Sequence, residues 1–104
     1  MLRALALVCV ISSVAHAGEN MCASGAKHHG KAIDLDVTHA DVRDVLRLLA
    51  DTANVNIVMN DEVTGQVTVK LKRAPWDAVM CTVAALEHLR VTVEDNILLV
   101  RKDK

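Results

Sequence analysis

With 104 residues, 12 basic against 13 acidic side chains and a formal charge of −1, the chain names no partner by its charge. A single Trp with no Phe or Tyr, and no basic stripe, excludes a stacking platform for nucleic acid. The core must therefore be aliphatic, and a domain this small buries a limited fraction of its surface, so a crosslink or a partner would help to hold it.

Residues 1–17 hold one basic residue, Arg3, an apolar run over 4–11, and the small-x-small ending Ala15-His16-Ala17. This pattern predicts a cleavable secretory signal peptide, too short to span a bilayer, with the mature chain beginning at Gly18. Cys9 falls inside the apolar run, but Val8 before it is too large for the small residue that usually precedes a lipidated cysteine. No second apolar run reaches the ~18 residues that a span needs, which predicts a product that is soluble once released and has no membrane span. Residues 18–30 contain Gly18, Ser24, Gly25, Lys27, His28, His29 and Gly30 without periodicity, the pattern of a flexible leader.

Order is predicted from residue 31 to residue 102. Residues 32–37 alternate as a strand, and Thr38 then reads as a helix N-cap, with Asp41 as the acid of a capping box and Val37 and Val42 as a hydrophobic staple. Val42, Val45, Leu46, Leu49 and Ala53 recur at steps of three and four, so the helix has one apolar face, opposite Asp41, Arg43, Asp44, Arg47 and Asp51. Val55, Ile57 and Met59 mark a second strand, closed by a turn over 60–65 that ends on Gly65. Residues 66–72 form a third strand with Val67, Val69 and Leu71 inward. Pro75 opens a second helix at its first position, Asp77 adds first-turn negative charge, and the helix is predicted to run to about His88. Residues 90–94 and 97–101 flank Asp95-Asn96, a two-residue hairpin loop.

The unit occurs twice. A constant shift of 34 lays Ile33, Leu35 and Val37 on Val67, Val69 and Leu71, and Val42, Val45, Leu46 and Leu49 on Trp76, Val79, Met80 and Val83. It also lays Ile57 and Met59 on Val91 and Val93, so each half reads strand, helix, strand. The alternating segments at both ends of each unit argue against helix pairs.

Residues 33–37, the acidic and leucine-rich helix over 41–50, Asn56-Ile57-Val58, Val63-Thr64-Gly65-Gln66-Val67-Thr68 and Pro75-Trp76-Asp77 together resemble the short N-terminal (STN) domain of secretins and TonB-dependent receptors. The resemblance covers residues 31–102. It implies an α+β domain of order βαββαββ, with two helices packed between a two-stranded and a three-stranded sheet, located in the periplasm. In the family this domain docks proteins and is not an enzyme. It sits at the periplasmic mouth of the outer-membrane channel in secretins, and it relays ligand occupancy to a membrane-bound regulator in the receptors. Here the resemblance implies a free-standing interaction module, docking to a type II secretion or type IV pilus channel or to a transport receptor, with strand addition at a sheet edge as the means. A ring as in the secretins stays open. The family supplies no catalytic residue to carry over and no cofactor; Thr38, Gly65, Pro75 and Trp76 are structural candidates, with Trp76 read as core.

Two cysteines remain after signal removal, Cys22 in the leader and Cys81 in the second helix, in an oxidising compartment. Cys81 lies about 140° around the helix from Trp76, away from the apolar face and within reach of the leader. A Cys22–Cys81 disulfide, an intermolecular disulfide and free thiols are the three readings. An alternative function, a small metal-binding or redox protein, would use Cys22, His28 and His29, although adjacent histidines struggle to reach one ion and no fourth ligand is evident. Catalysis lacks its parts. Cys81 and His88 would stand roughly 10.5 Å apart along a helix, the mature chain has one serine, and no glycine-rich loop follows a strand. His39 and His88 read as surface residues, and Asp41, Asp44 and Asp51 as a solvated helix face.

Overall fold

The computed structural model describes residues 19–23 and 28–103, so the predicted signal peptide lies outside the described residues. The elements are β1 (Glu19–Asn20), β2 (Ala32–Asp41), α1 (Val42–Ala53), β3 (Asn56–Met59), β4 (Gln66–Pro75), α2 (Trp76–Leu86), β5 (Leu89–Glu94) and β6 (Ile97–Lys102). β2 and β4 pair antiparallel as a two-stranded ribbon. β5, β6 and β3 form the three-stranded sheet in that order, with β3 parallel and β5 antiparallel to β6. The fold is α+β, and from residue 32 onward its order is βαββαββ.

Each strand turns one side to a common aliphatic core. Leu35, Val67 and Val69 enter from the ribbon, and Leu89, Val91, Leu98 and Val100 from the sheet. The helices supply Val42, Val45, Leu46 and Leu49 from α1 and Val79, Met80, Val83 and Ala84 from α2. Val63, in the loop before β4, is also fully buried. That loop is tied to α1 by Arg43, whose Nη1 donates to the carbonyls of Asn60 (3.1 Å) and Val63 (3.2 Å).

The repeat read from apolar spacing extends to the backbone. β2 and β4 start and end 34 residues apart, as do the N-caps Asp41 and Pro75. Four left-handed residues form two pairs at the same interval: His39 with Arg73 inside the ribbon strands, and Asn54 with His88 after the helices. The hydrogen bonds are exchanged as a two-fold axis requires. The His39 amide donates to Thr68 Oγ1 (3.0 Å) and the Arg73 amide to Asp34 Oδ1 (2.8 Å), each partner being the other's mate under the shift. The Val42 amide donates to the Gly65 carbonyl and the Trp76 amide to the Lys31 carbonyl, both at 2.9 Å. β6 has no mate and lies between β3 and β5, which run in opposite directions beside it.

Three sequence expectations are corrected. Thr38 is not the N-cap. β2 continues past it, through an irregularity between Val37 and Ala40, to pair Ala40 with Val67 and Asp41 with Gln66. Asp41 caps α1 instead, its Oδ1 accepting from the Arg43 amide at 2.9 Å. Both residue types cap well, and the cross-strand pairs decide between them. Asp41→Ala is expected to cost about 1 kcal/mol, read from the urea midpoint, whereas Thr38→Ala should cost a few tenths. Pro75 stands one position earlier than predicted, at the N-cap of α2, and ends β4, where its missing N–H is again harmless. Third, the leader is not without structure: Glu19–Asn20 pairs antiparallel with β5 and extends that sheet to four strands.

Candidate functional site

The two layers present different outer surfaces. The solvent side of the ribbon carries Asp34 and Asp36 on β2 and Thr68, Lys70 and Lys72 on β4, all exposed. A charged and irregular edge of this kind discourages further strand pairing. On the sheet, β3 is the open edge, with no strand beyond it among the described residues. Its side chains alternate, Ile57 and Met59 toward the core and Asn56 and Val58 outward.

Val58 stands opposite Leu99 of β6, and Leu99 is two residues from Ile97 on the same face. These three remain 51%, 38% and 40% exposed, so an apolar patch adjoins an unpaired strand edge. Exposed apolar side chains gathered beside an open edge make this face the candidate contact surface. It also has the two parts that strand addition needs: main-chain donors and acceptors along β3, and an apolar surface beside them for alternate side chains. Arg90 and Arg101, opposite one another on β5 and β6, and Glu94 complete the face with charge.

The patch was not singled out in the sequence. Ile97-Leu98-Leu99-Val100 reads as a strand buried on both sides, yet the helices cover only the face of Leu98 and Val100. Val58 likewise sits out of phase with Val55, Ile57 and Met59. In each case an apolar residue on the wrong side of a period-2 pattern was the available signal.

At the other sheet edge Cys22 and Cys81 are joined by a disulfide, with their Cα atoms 5.4 Å apart. Beyond it His28 Nδ1 lies 3.6 Å from Asp77 Oδ2, and the Gly30 amide donates to Asp77 Oδ1 at 3.2 Å. Gly30 packs on the Trp76 ring so closely that a Cβ there would overlap it. Trp76 is half-buried and rests against the core. Gly65 has a φ of 132°, and a Cβ on it would meet the Glu87 carboxylate, which suits glycine alone.

The alternative ligand set is not brought together. Cys22 has spent its thiol on Cys81, His28 faces Asp77, and His29 is exposed. Among the described residues no three His, Cys, Asp or Glu side chains gather as a metal site. No described helix is long and apolar enough to cross a membrane.

The disulfide closes a long loop, its ends 59 positions apart in the chain. By the loop-entropy model its loss costs about 4 kcal/mol. Urea unfolding with and without a dithiol should show that difference, and a loss below about 1 kcal/mol would mean that strain or residual structure cancels the constraint.

No protein-family model matches the chain. It is 34% identical over 82 residues to the type IV pilus biogenesis and competence protein PilQ of Neisseria meningitidis, a match over 72% of this chain and 11% of that protein. It is 37% identical over 71 residues to the fimbrial assembly protein PilQ of Pseudomonas aeruginosa, over 68% of this chain and 10% of the relative. The chain thus spans about a tenth of the curated relatives it matches. Among solved structures, the N0 domain of the type II secretin from enterotoxigenic Escherichia coli superposes with a TM-score of 0.64 at 15% identity, over 70% of this chain and 96% of that one. The type IV competence pilus secretin PilQ of V. cholerae gives 0.58 at 31% identity, over 65% of this chain and 16% of that one. Sequence and fold therefore agree that the folded part of this chain is a secretin-type N-terminal domain.

Proposed function

We propose that the domain acts in the periplasm as a docking module for a type IV pilus or type II secretion channel. It would receive an extended segment of a channel component along β3. The observation that carries this reading is the open β3 edge beside exposed Val58, Leu99 and Ile97. The relatives named above, pilus and secretion channel proteins, support the choice of machine. Export by the predicted signal peptide would bring the chain to that compartment.

The test is crosslinking and affinity purification of the tagged protein from the envelope of its own source cells, with mass spectrometry of the crosslinked peptides. Support requires a secretin or another pilus or secretion component crosslinked to β3 or β6. Recovery of a TonB-dependent receptor through the same residues would keep the docking edge and change the machine. Crosslinks confined to the ribbon would overturn the edge assignment.

A further inference from the structure

The two edges of the sheet are treated differently. β3 is bare among the described residues, whereas β5 is covered by β1, with Glu19 opposite Val93 and Asn20 opposite Thr92. The Met21 amide continues the pairing to the Val91 carbonyl at 3.0 Å. A strand of two residues has few hydrogen bonds to set against the freedom lost when a chain segment is ordered. Its hold comes from the next residues. Cys22 is bonded to Cys81 on α2, and Met21 and Cys22 both pack against the core. The other anchor of the leader, His28 and Gly30 on Asp77, follows later in the chain and holds to α2.

We propose that the Cys22–Cys81 bond is a redox latch on the β5 edge. Closed, it seats β1 on β5. Opened, it releases β1 and leaves β5 as an acceptor for an extended segment with an apolar residue where Met21 sits. Opening requires a dithiol reductant, such as a dithiol protein. One of its thiolates attacks a cysteine sulfur to give a mixed disulfide, and its second thiolate then displaces that sulfur. The sulfur–sulfur bond takes up two electrons and two protons, Cys22 and Cys81 become thiols, and the dithiol becomes a disulfide.

The latch stands on the β1 contacts alone, while the acceptor role rests on the docking reading, so the test has two arms. Because the Val91 carbonyl points to β1, the Val91 and Val93 amides point there too, and those of Thr92 and Glu94 point to β6. Amide hydrogen exchange is measured by NMR on the oxidised protein, on the protein with dithiothreitol, and on a Cys22→Ser/Cys81→Ser variant. Opening should accelerate Val91 and Val93 at least ~10-fold more than Thr92 and Glu94, a ratio unaffected by a general loss of stability. Equal acceleration of all four, or none, overturns the latch.

In the second arm a synthetic peptide of residues 18–23, with alanine for Cys22, is added to the reduced protein. Renewed protection of Val91 and Val93 supports the acceptor role. No protection, or protection at β3 alone, overturns that role even where the latch arm holds, and leaves the proposed contact at β3 standing or falling on its own crosslinks.

Discussion

Replacing Leu46 by alanine is expected to destabilise the domain by about 2–5 kcal/mol, which for a domain of this size is a large share of the whole. Leu46 lies on α1 and is fully buried, on the helix face shared by Val42, Val45 and Leu49. Truncation there removes apolar contact and leaves a cavity that the sheets cannot easily close, since Val63 and the strands on both sides are held by backbone pairing. Leu48, two residues on, is 51% exposed on the same helix, and Leu48→Ala should stay within about 0.5 kcal/mol. Urea unfolding followed by circular dichroism measures both. Similar costs for the two substitutions would mean that α1 does not present this face to the core.

The contrast between Leu46 and Leu48 was already legible in the spacing of apolar residues, and so was most of the order of elements. Periodicity placed both helices and the five longer strands, and the 34-residue shift predicted two strand-helix-strand halves. The structure carries that repeat into the left-handed residues His39 and Arg73, which no apolar pattern could reveal. Boundaries were less legible where two good signals competed. Thr38 and Asp41 are both N-cap types, and only the pairing of Asp41 with Gln66 on a distant strand decides between them. β1 was invisible because two residues show no period. Strand order was equally hidden, since nothing local in 97–102 says that β6 lies between β3 and β5. The candidate site suffered most: Val58, Ile97 and Leu99 look like core residues until it is known that the helices cover one face of the sheet alone.

Charge placed on that face should abolish docking while leaving the fold intact. In the Val58→Lys/Leu99→Lys variant both new side chains start from positions already 51% and 38% exposed, so lysine can reach water and stability should change by no more than about 1 kcal/mol. In a complex the same two positions would be covered, and each ammonium would have to lose water without a partner charge. Loss of a well-packed apolar contact costs about 2 kcal/mol or more at the centre of an interface. Two such losses amount to roughly 4 kcal/mol, or about a thousandfold in affinity. The comparison is Gln66→Lys, an exposed substitution on the ribbon, which should leave capture unchanged. Quantitative pull-down of the crosslinked channel component, alongside thermal unfolding of each variant, reads both quantities. Full capture by the double variant would remove the β3 edge as the contact. Loss of capture with Gln66→Lys alone would transfer the contact to the ribbon, whose alternating charges would then be its recognition surface.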